Sequence, residues 1–413
     1  MSIKRNSIVI LILTVFFINV NAQNIDTSYK TLESITVVSR NLKITEKASP
    51  YSITKLDQHQ IASSAFRTTP EALMGSNGVF IQKTNHGGGS PFIRGLTGNQ
   101  TLILVDGIRL NNSTFRYGPN QYLNTIDMFT IDKIEVAKGI GAIEYGSDAM
   151  GGVINLSTKE NEYSSRPIVH ASTLGKFISS NMEQTSRSEI SFSNAQLAIQ
   201  GGLSFKNYGN LKGGGNVDIQ NPTGYNENNI DLKVKLKITK QDEVIIATQN
   251  TIQHHVPIYH KIALENYRIN EVEKQARSLN YVKYKHIDNN KWFAEFLVTA
   301  STQRTIEQRS LQRNNSTIYR NEADTVHTIG MTSEIISKPT KYWTFNTGFD
   351  YYQDNIYSSA KELNQQTNTT VFKRGLYPNA AKYNNSSVFN LHHFQLGRLF
   401  IETGLRYNFL KIN

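Results

Sequence analysis

Period-two alternation dominates the chain from about residue 167 onward. Ile230, Leu232, Val234, Leu236 and Ile238 alternate with Asp231, Lys233, Lys235 and Lys237. Trp343, Phe345, Phe349 and Tyr351 alternate with Thr344, Asn346, Gly348 and Asp350, and Leu399, Ile401, Leu405, Tyr407 and Phe409 alternate with Glu402, Gly404, Arg406 and Asn408. Such segments predict strands with one apolar and one polar face. Tight turns are predicted at 194–195, 239–241, 288–290, 338–341 and 397–398, and long polar loops at 207–228, 253–274, 306–324 and 353–383. A soluble β-sandwich also alternates. Short turns at one end and long loops at the other instead favour a sheet standing between lipid and a wet lumen. About eleven strands are predicted. Trp292 and Trp343 each sit at a strand start beside a tight turn, where an aromatic girdle would lie, packing inside a sheet being their alternative role.

The earlier chain has a different grain. Short apolar runs at 101–105, 131–137 and 152–157 are separated by turns rich in Gly, Asn and Asp, which predicts a compact mixed domain with small buried strands. Asp106-Gly107 between two apolar runs is a hairpin signal, and Gly151-Gly152 suggests close backbone approach or a bulge. Residues 50–56 read as extended, 57–63 as a short helix capped by Asp57, and 69–74 as a second helix with Thr69 as N-cap and Pro70 at its first position. Residues 78–82 read as a strand, and His86-Gly87-Gly88-Gly89-Ser90 as a flexible loop. No Gly-Lys-Ser/Thr follows those glycines, so they do not make a phosphate loop.

The N-terminus reads as a signal peptide, residues 1–22. Lys4 and Arg5 are charged, Ile8 to Val20 is apolar, and Val20-Asn21-Ala22 suits a signal peptidase. The apolar run is shorter than the roughly 20 residues that span a bilayer as a helix, and no later run reaches that length. The net charge is +11. It is dispersed along strand-like segments without a basic tract, which speaks against nucleic acid and for a polar lumen and surface loops. Cysteine is absent, which excludes disulfides, thiolate metal sites and thiol nucleophiles. No catalytic constellation is evident: Asp106 and Glu135 stand in turns and strands without an acid–base partner, and Ser147-Asp148 lacks a nucleophile elbow, so an enzyme is not expected.

Several linked motifs carry a resemblance. They are Pro91-Phe92-Ile93-Arg94-Gly95-Leu96, Leu104-Val105-Asp106-Gly107-Ile108-Arg109, Ile134-Glu135-Val136-Ala137-Lys138-Gly139, and Glu144-Tyr145-Gly146 followed by Gly151-Gly152. In this order and spacing they resemble the plug domain of a TonB-dependent outer-membrane receptor, densely from about Ser34 to Lys159 and diffusely beyond. The resemblance implies an α+β plug domain followed by antiparallel transmembrane β-barrel strands, incomplete here: about half of a 22-stranded barrel. The implied segments are a periplasmic tail at 23–45, the plug at 46–160 and a partial barrel at 161–413. An eleven-strand arc has two open edges, which hydrocarbon cannot satisfy. The chain is therefore read as a fragment, a truncated gene or one piece of a split receptor.

Within the tail, Glu33, Ser34, Ile35, Thr36, Val37 and Val38 form a β-prone run. From the residues alone it is either a segment for strand addition to a partner's sheet or the plug's first strand; the resemblance implies the TonB box. The absence of a domain between Ala22 and this box makes polysaccharide-uptake receptors a poorer match than siderophore, haem or vitamin receptors. Arg94 and Lys138 match positions where family plugs carry basic groups that pair with carboxylates on the inner barrel wall. By parity the candidates are Glu295, Glu334 and Glu402, ordinary solvated lumen charge being the reading for at least two of the three. His254, His255, Tyr259 and His260 are candidate ligand-loop residues in the predicted loop 253–274, although clustered His in a polar loop is more often plain surface.

The implied function is TonB-dependent uptake of a scarce small molecule, an iron–siderophore or related chelate being favoured by family frequency, with haem or cobalamin as alternatives. The implied partners are TonB with its inner-membrane energising complex, outer-membrane lipid and the ligand, without nucleic acid, cofactor or protein-held metal. The implied location is the outer membrane of a Gram-negative bacterium. Two other readings are a non-transporting fragment that at most binds ligand, and a secreted β-rich adhesin, which the linked plug motifs disfavour.

Overall fold

The computed structural model describes residues 35–37, 43–45 and 52–413 apart from 65, 84–85, 118–121, 140–141 and 289. The predicted signal peptide, and Glu33, Ser34 and Val38 of the predicted TonB box, lie outside the described residues. The remaining box residues form β1 (Ile35–Val37), which shares a two-stranded sheet with β2 (Lys43–Thr45).

The mixed domain is built on β3 (Ser52–Leu56), β4 (Val79–Gln82), β5 (Ser90–Ile93), β6 (Thr101–Val105), β7 (Ile108–Arg109), β8 (Ile131–Lys138) and β9 (Gly152–Thr158). Five strands form one sheet in the order β3-β8-β9-β6-β7, and β4 pairs with β5 in a separate hairpin. Every pair in the larger sheet is antiparallel except β6 with β9. All five residues of β6 are buried, which is why its sequence is continuously apolar and does not alternate. The β6–β7 turn takes left-handed φ at Asp106 (52°) and Gly107 (79°), as the Asp-Gly signal predicts. At Gly152 a Cβ would come within 2.5 Å of the Ala137 carbonyl oxygen, so the close approach expected of the glycine pair is real.

Helix α1 (Gln58–Ser64) begins on a reciprocal cap: Gln60 N donates to Asp57 Oδ1 (2.8 Å) and Asp57 N to Gln60 Oε1 (3.1 Å). Helix α2 (Thr69–Leu73) starts one residue earlier than expected. Thr68 is its N-cap, and the Thr69 hydroxyl instead donates to the Ile126 carbonyl (2.6 Å), tying the helix to the plug core. The short helix α3 (Ala142–Tyr145) precedes β9. The segment His86–Ser90, expected as a flexible loop, is buried instead. Gly87 lets the backbone pack against Val256 of the wall, and Gly89 lets it pack against Pro70 of the plug.

The wall is one antiparallel sheet. Its continuous path runs β10 (Ile168–Ile178), β11 (Glu183–Ser193), β12 (Leu197–Tyr208), β15 (Tyr225–Lys237), β16 (Asp242–Pro257), β17 (Tyr267–Ile287), β18 (Glu295–Arg313), β19 (Ile318–Thr340), β20 (Trp343–Asn364), β22 (Ala381–Leu396) and β23 (Leu399–Ile412). A twelfth strand, β21 (Thr369–Arg374), pairs with the far end of β20, and β13 (Leu211–Lys212) pairs with β14 (Ile219–Gln220) in a connection. The sheet is not closed, and β10 and β23 are its edges. Apolar residues such as Leu203, Phe205, Ile230 and Leu232 face outward and are exposed, while Ser204, Lys206, Lys233 and Lys235 face the plug and are buried.

Three of the predicted long loops are largely strand. β17 to β20 run for 21, 19, 23 and 22 residues, leaving only a four-residue turn at 314–317 within the predicted loop 306–324. At roughly 3.3 Å per residue these strands extend well past the roughly 30 Å hydrocarbon layer. Beyond lipid both faces meet water, so alternation vanishes from the sequence while the hydrogen-bonded ladder continues.

The plug core does not stop at the plug. Ile103, Val105, Ile134, Val136, Ile154 and Leu156 share one hydrophobic cluster with Ile245, Ala247, Leu279 and Tyr281 of β16 and β17.

Candidate functional site: the plug–wall interface and its outer cavity

The Asp106 turn drives into the wall. Its carboxylate accepts from Thr158 N (2.8 Å) and the Thr158 hydroxyl (2.7 Å) within the plug. From the wall it accepts from the Tyr281 hydroxyl (2.9 Å) and Gln249 Nε2 (3.3 Å), with Lys233 Nζ at 3.4 Å. Lys283 Nζ donates to the Asp106 carbonyl (3.1 Å). Burial opposes the charge on Asp106, yet Lys233, Lys283 and the Thr158 bonds outweigh it and hold the carboxyl below its ordinary range.

Asp127 is a second anchor. Lys206 Nζ lies 2.8 Å and Arg187 Nη1 3.5 Å from its carboxylate, and the Ser204 hydroxyl donates at 2.5 Å. The same carboxylate caps the following turn by accepting from Phe129 N (3.1 Å). Burial again opposes the charge, and Lys206 and Arg187 reverse it, so this carboxyl is also depressed.

A further set of wall side chains donates to plug backbone carbonyls. Tyr208 reaches Arg67 O (2.9 Å), Gln253 reaches Asn124 O (3.1 Å), Arg277 reaches Thr125 O (3.1 Å), Gln303 reaches Leu110 O (3.2 Å) and Tyr377 reaches Thr114 O (2.8 Å). In these contacts the wall supplies donors and the plug acceptors, whereas Lys159 at the end of the plug donates to Glu189 of the wall (3.2 Å). The segment 112–116 runs the other way: Arg116 pairs with Glu307 (2.6 Å), and Ser113 N donates to Asp354 (2.7 Å).

This polarity corrects the expected ion pairs. Among the described residues, Arg94 and Lys138 form no ion pair with Glu295, Glu334 or Glu402. Arg94 (φ 54°) and Gly95 (φ 81°) form the tight turn after β5, closed by reciprocal bonds between Ile93 and Leu96 (3.0 Å each), and the Arg94 side chain is exposed. Lys138 donates to the Thr54 hydroxyl (2.9 Å) and Asn77 O (2.8 Å) inside the plug. Glu295 pairs with Lys285 (2.9 Å), Glu402 faces His393 (3.2 Å), and Glu334 accepts from Asn346 (2.7 Å). Glu135 is buried beside Lys133 (3.3 Å). Gly139 takes φ 154°, Tyr145 is core, and Gly146 lies under the Arg406 guanidinium. The motif residues thus shape turns and close packing.

At the end of the wall opposite the short turns, plug and wall line an open cavity of about 560 Å³. The plug lines it with Phe66, Arg67, Glu71, Met74 and Lys83, and the wall connections with Leu211, Gln220, Thr223 and Tyr259. Two cations share one carboxylate here: Glu71 lies 2.8 Å from Arg67 and 2.5 Å from Lys83. Burial acts to raise Glu71, but Lys83 and then Arg67 hold its carboxyl at about 2. The cavity therefore carries a net positive charge at neutral pH.

The predicted ligand loop is mostly ordered backbone. His254 stands in β16 opposite Lys274, His255 (φ 53°) places Nδ1 3.3 Å from Glu271, and Tyr259 and His260 belong to helix α4 (Tyr259–Leu264). Of these four, Tyr259 lines the cavity. Among the described residues no cluster of His, Asp or Glu is arranged to hold a metal ion.

His86 was not among the predicted site residues. It is fully buried, edge-on to Tyr208 (4.9 Å between ring centres) and Tyr225 (5.5 Å), and neither ring nitrogen has a hydrogen-bond partner among the described residues. Burial, with Lys83 and Arg67 nearby, lowers its pKa to about 3. An unfolded imidazole takes its proton near 6.5, so the stability lent by neutral His86 is complete above that pH and falls as pH drops toward 3. Acidifying from pH 6.5 to 5 is expected to cost about 2 kcal/mol at one proton per molecule. The wild type should show that loss in denaturant melts relative to His86→Phe; equal slopes would show that His86 titrates normally.

Residues 45–153 match the family model described as TonB-dependent Receptor Plug Domain. This stretch is a TonB-dependent receptor plug domain. The Vitamin B12 transporter BtuB of Vibrio vulnificus (strain CMCP6) is 31% identical over 178 residues, which is 42% of this chain and 27% of that relative. The Iron-regulated outer membrane virulence protein of Vibrio cholerae serotype O1 (strain ATCC 39541 / Classical Ogawa 395 / O395) is 34% identical over 142 residues, 32% of this chain and 21% of that protein. In fold the chain is similar to the Copper transporter OprC, with a TM-score of 0.70 at 13% identity over 86% of this chain and 55% of that structure. The matches thus span about a quarter of the curated relatives and about half of the solved copper transporter. A plug domain followed by an open antiparallel wall is the family architecture in partial form, as the sequence predicts.

Proposed function

We propose that this chain is the plug and the first part of the barrel of an outer-membrane receptor that takes up an anionic metal chelate, most favourably an iron–siderophore. The observation that carries this reading is the cavity at the long-connection end, where Arg67 and Lys83 share the single carboxylate of Glu71. A chelate bearing carboxylate, catecholate or hydroxamate oxygens meets that excess charge, while Phe66, Met74 and Leu211 cover its apolar face. The working barrel includes further strands that pair with β10 and β23, because lipid cannot satisfy open edges.

Transport then requires the wall donors to release the plug. Ligand must favour the releasable state, since equal affinity for both states shifts nothing. TonB, docking by strand addition on the box around Ile35–Val37, supplies the pull. A second reading is a corrinoid receptor, favoured by the relative named a vitamin B12 transporter.

The test is equilibrium binding by the purified full chain in detergent, with ferric citrate, a ferric catecholate and cyanocobalamin as probes. A ferric chelate is expected to bind, and Lys83→Gln to weaken it roughly tenfold, the worth of one charge-assisted contact. Cyanocobalamin binding alone would select the second reading. Binding of none would overturn the receptor reading.

A further inference from the structure

Both cations of the outer cavity are already engaged by one side chain. The Arg67 fork holds both carboxylate oxygens of Glu71, with Nη2 2.8 Å from Oε1 and Nε 3.2 Å from Oε2, and Lys83 Nζ closes on Oε1. Neither cation has another carboxylate partner among the described residues. Glu71, its carboxyl held at about 2, is ionised at neutral pH. It is thus a built-in anion seated between the two groups that an anionic chelate would use. Arg67 is the most open of the three, at 26% exposed against 12% for Glu71 and 13% for Lys83, so an arriving anion meets its guanidinium first.

Arg67 also joins the cavity to the wall. Its backbone N–H donates to Glu71 Oε2 (3.0 Å), and its carbonyl accepts from the Tyr208 hydroxyl of β12 (2.9 Å). The Phe66 carbonyl before it accepts from Lys176 Nζ of β10 (3.2 Å). A carboxylate that leaves the Arg67 fork also leaves the Arg67 N–H, so the segment gripped by the wall loses its tie to α2. A neutral ligand that covers only Phe66, Met74 and Leu211 leaves this network intact. Support of the first turn of α2 is the ordinary structural role of Glu71, and that role would not depend on the charge of a ligand.

We propose that Glu71 is an internal competitor for the ligand site: a multiply charged anionic chelate displaces it from Arg67 and Lys83, and the displacement frees the segment at Phe66 and Arg67. The inference rests on the chelate-receptor reading above and deepens it by naming the residue that sets ligand charge. A neutral chelate does not replace the charge-assisted contacts that Glu71 would give up, whereas a multiply charged one does. Displacement gives the ligand its differential affinity, because only the state with Glu71 withdrawn offers both cations.

The test is equilibrium binding by the full chain in detergent with three ferric chelates: a neutral trihydroxamate, a singly charged aminopolycarboxylate and a triply charged tris-catecholate. The wild type should bind the triply charged probe most tightly. Glu71→Gln keeps an acceptor for the Arg67 N–H. It should raise affinity for the singly charged probe roughly tenfold, the worth of one charge-assisted contact, and leave the neutral probe unchanged. Adding Lys83→Gln to Glu71→Gln should cancel that gain, which damage to α2 would not do. In the wild type the tris-catecholate should speed hydrogen exchange of the Arg67 amide, where simple occupancy would slow it. No gain for the singly charged probe, an equal gain for the neutral one, or slowed exchange at Arg67 would each overturn the inference. If no ferric chelate binds wild type or variant, the chelate-receptor reading falls with it; binding that ignores residue 71 would defeat this inference alone.

Discussion

Replacing Asp106 with alanine is expected to loosen the plug from the wall by roughly 3–5 kcal/mol, the usual result of removing one partner from a buried ion pair. The side chain is only 5% exposed and serves Thr158 within the plug and Tyr281, Gln249 and Lys233 across the interface. Its loss leaves the Lys233 ammonium with Glu160 (3.3 Å) and takes the acceptor from the Tyr281 hydroxyl. Amide hydrogen exchange of β6 and β9 reads the effect directly. At about 1.4 kcal/mol per decade, exchange should accelerate by roughly two to four orders of magnitude. Asp106→Asn separates charge from geometry. Asparagine tolerates the left-handed turn and still accepts from Thr158, so it should lose only the part owed to Lys233 and Lys283. Protection equal to wild type in the alanine variant would show that the apolar cluster shared with Ile245, Ala247, Leu279 and Tyr281 holds the plug by itself.

What could be read from sequence follows where water and lipid lie. β15 was legible because Ile230, Leu232, Val234 and Leu236 face outward while Asp231, Lys233 and Lys235 face the plug, and two different solvents force two different residue types. The outer halves of β17 to β20 were not legible, because both faces there are polar and only the backbone ladder persists. The Asp106-Gly107 and Gly151-Gly152 features were legible as local geometry, since left-handed φ and close approach restrict residue type wherever they occur. The interface chemistry was not. Plug carbonyls such as Arg67 O, Asn124 O and Thr125 O are acceptors whatever side chain they carry, so they leave no sequence trace. The expected polarity came from the family pattern at Arg94 and Lys138. The lysines already visible on the polar face of β15 were the better signal, because a basic lumen wall asks for acceptors on the plug. His86 escaped notice because three glycines after it suggested mobility, whereas they allow it to be buried.

Lysine 206 offers a test in which the sign of a pH dependence decides. Its ammonium lies 2.8 Å from Asp127 on the plug and 2.7 Å from Glu227 on the wall, and all three side chains are 3% exposed. Lys206→Met removes the one cation between two buried carboxylates and is expected to cost roughly 3–5 kcal/mol at pH 7. In the wild type Asp127 is depressed, so its contribution to stability is full above the ordinary carboxylate pKa and is lost as pH falls below it. In the variant, burial, the largest influence on Asp127, acts with Lys206 gone, and the carboxyl moves above its ordinary value. Its protonation then relieves the repulsion with Glu227, so the variant should regain stability as pH falls from 7 toward 5. Denaturant melts across that range should therefore show the difference between wild type and variant shrinking with acid, with the His86 loss common to both. Lys206→Arg, which keeps the charge, should retain most of the stability and the wild-type slope. A variant deficit independent of pH would mean that Lys206 acts through packing, including its approach to the Phe129 ring at 5.5 Å, and that Asp127 is held by Arg187 and Ser204 alone.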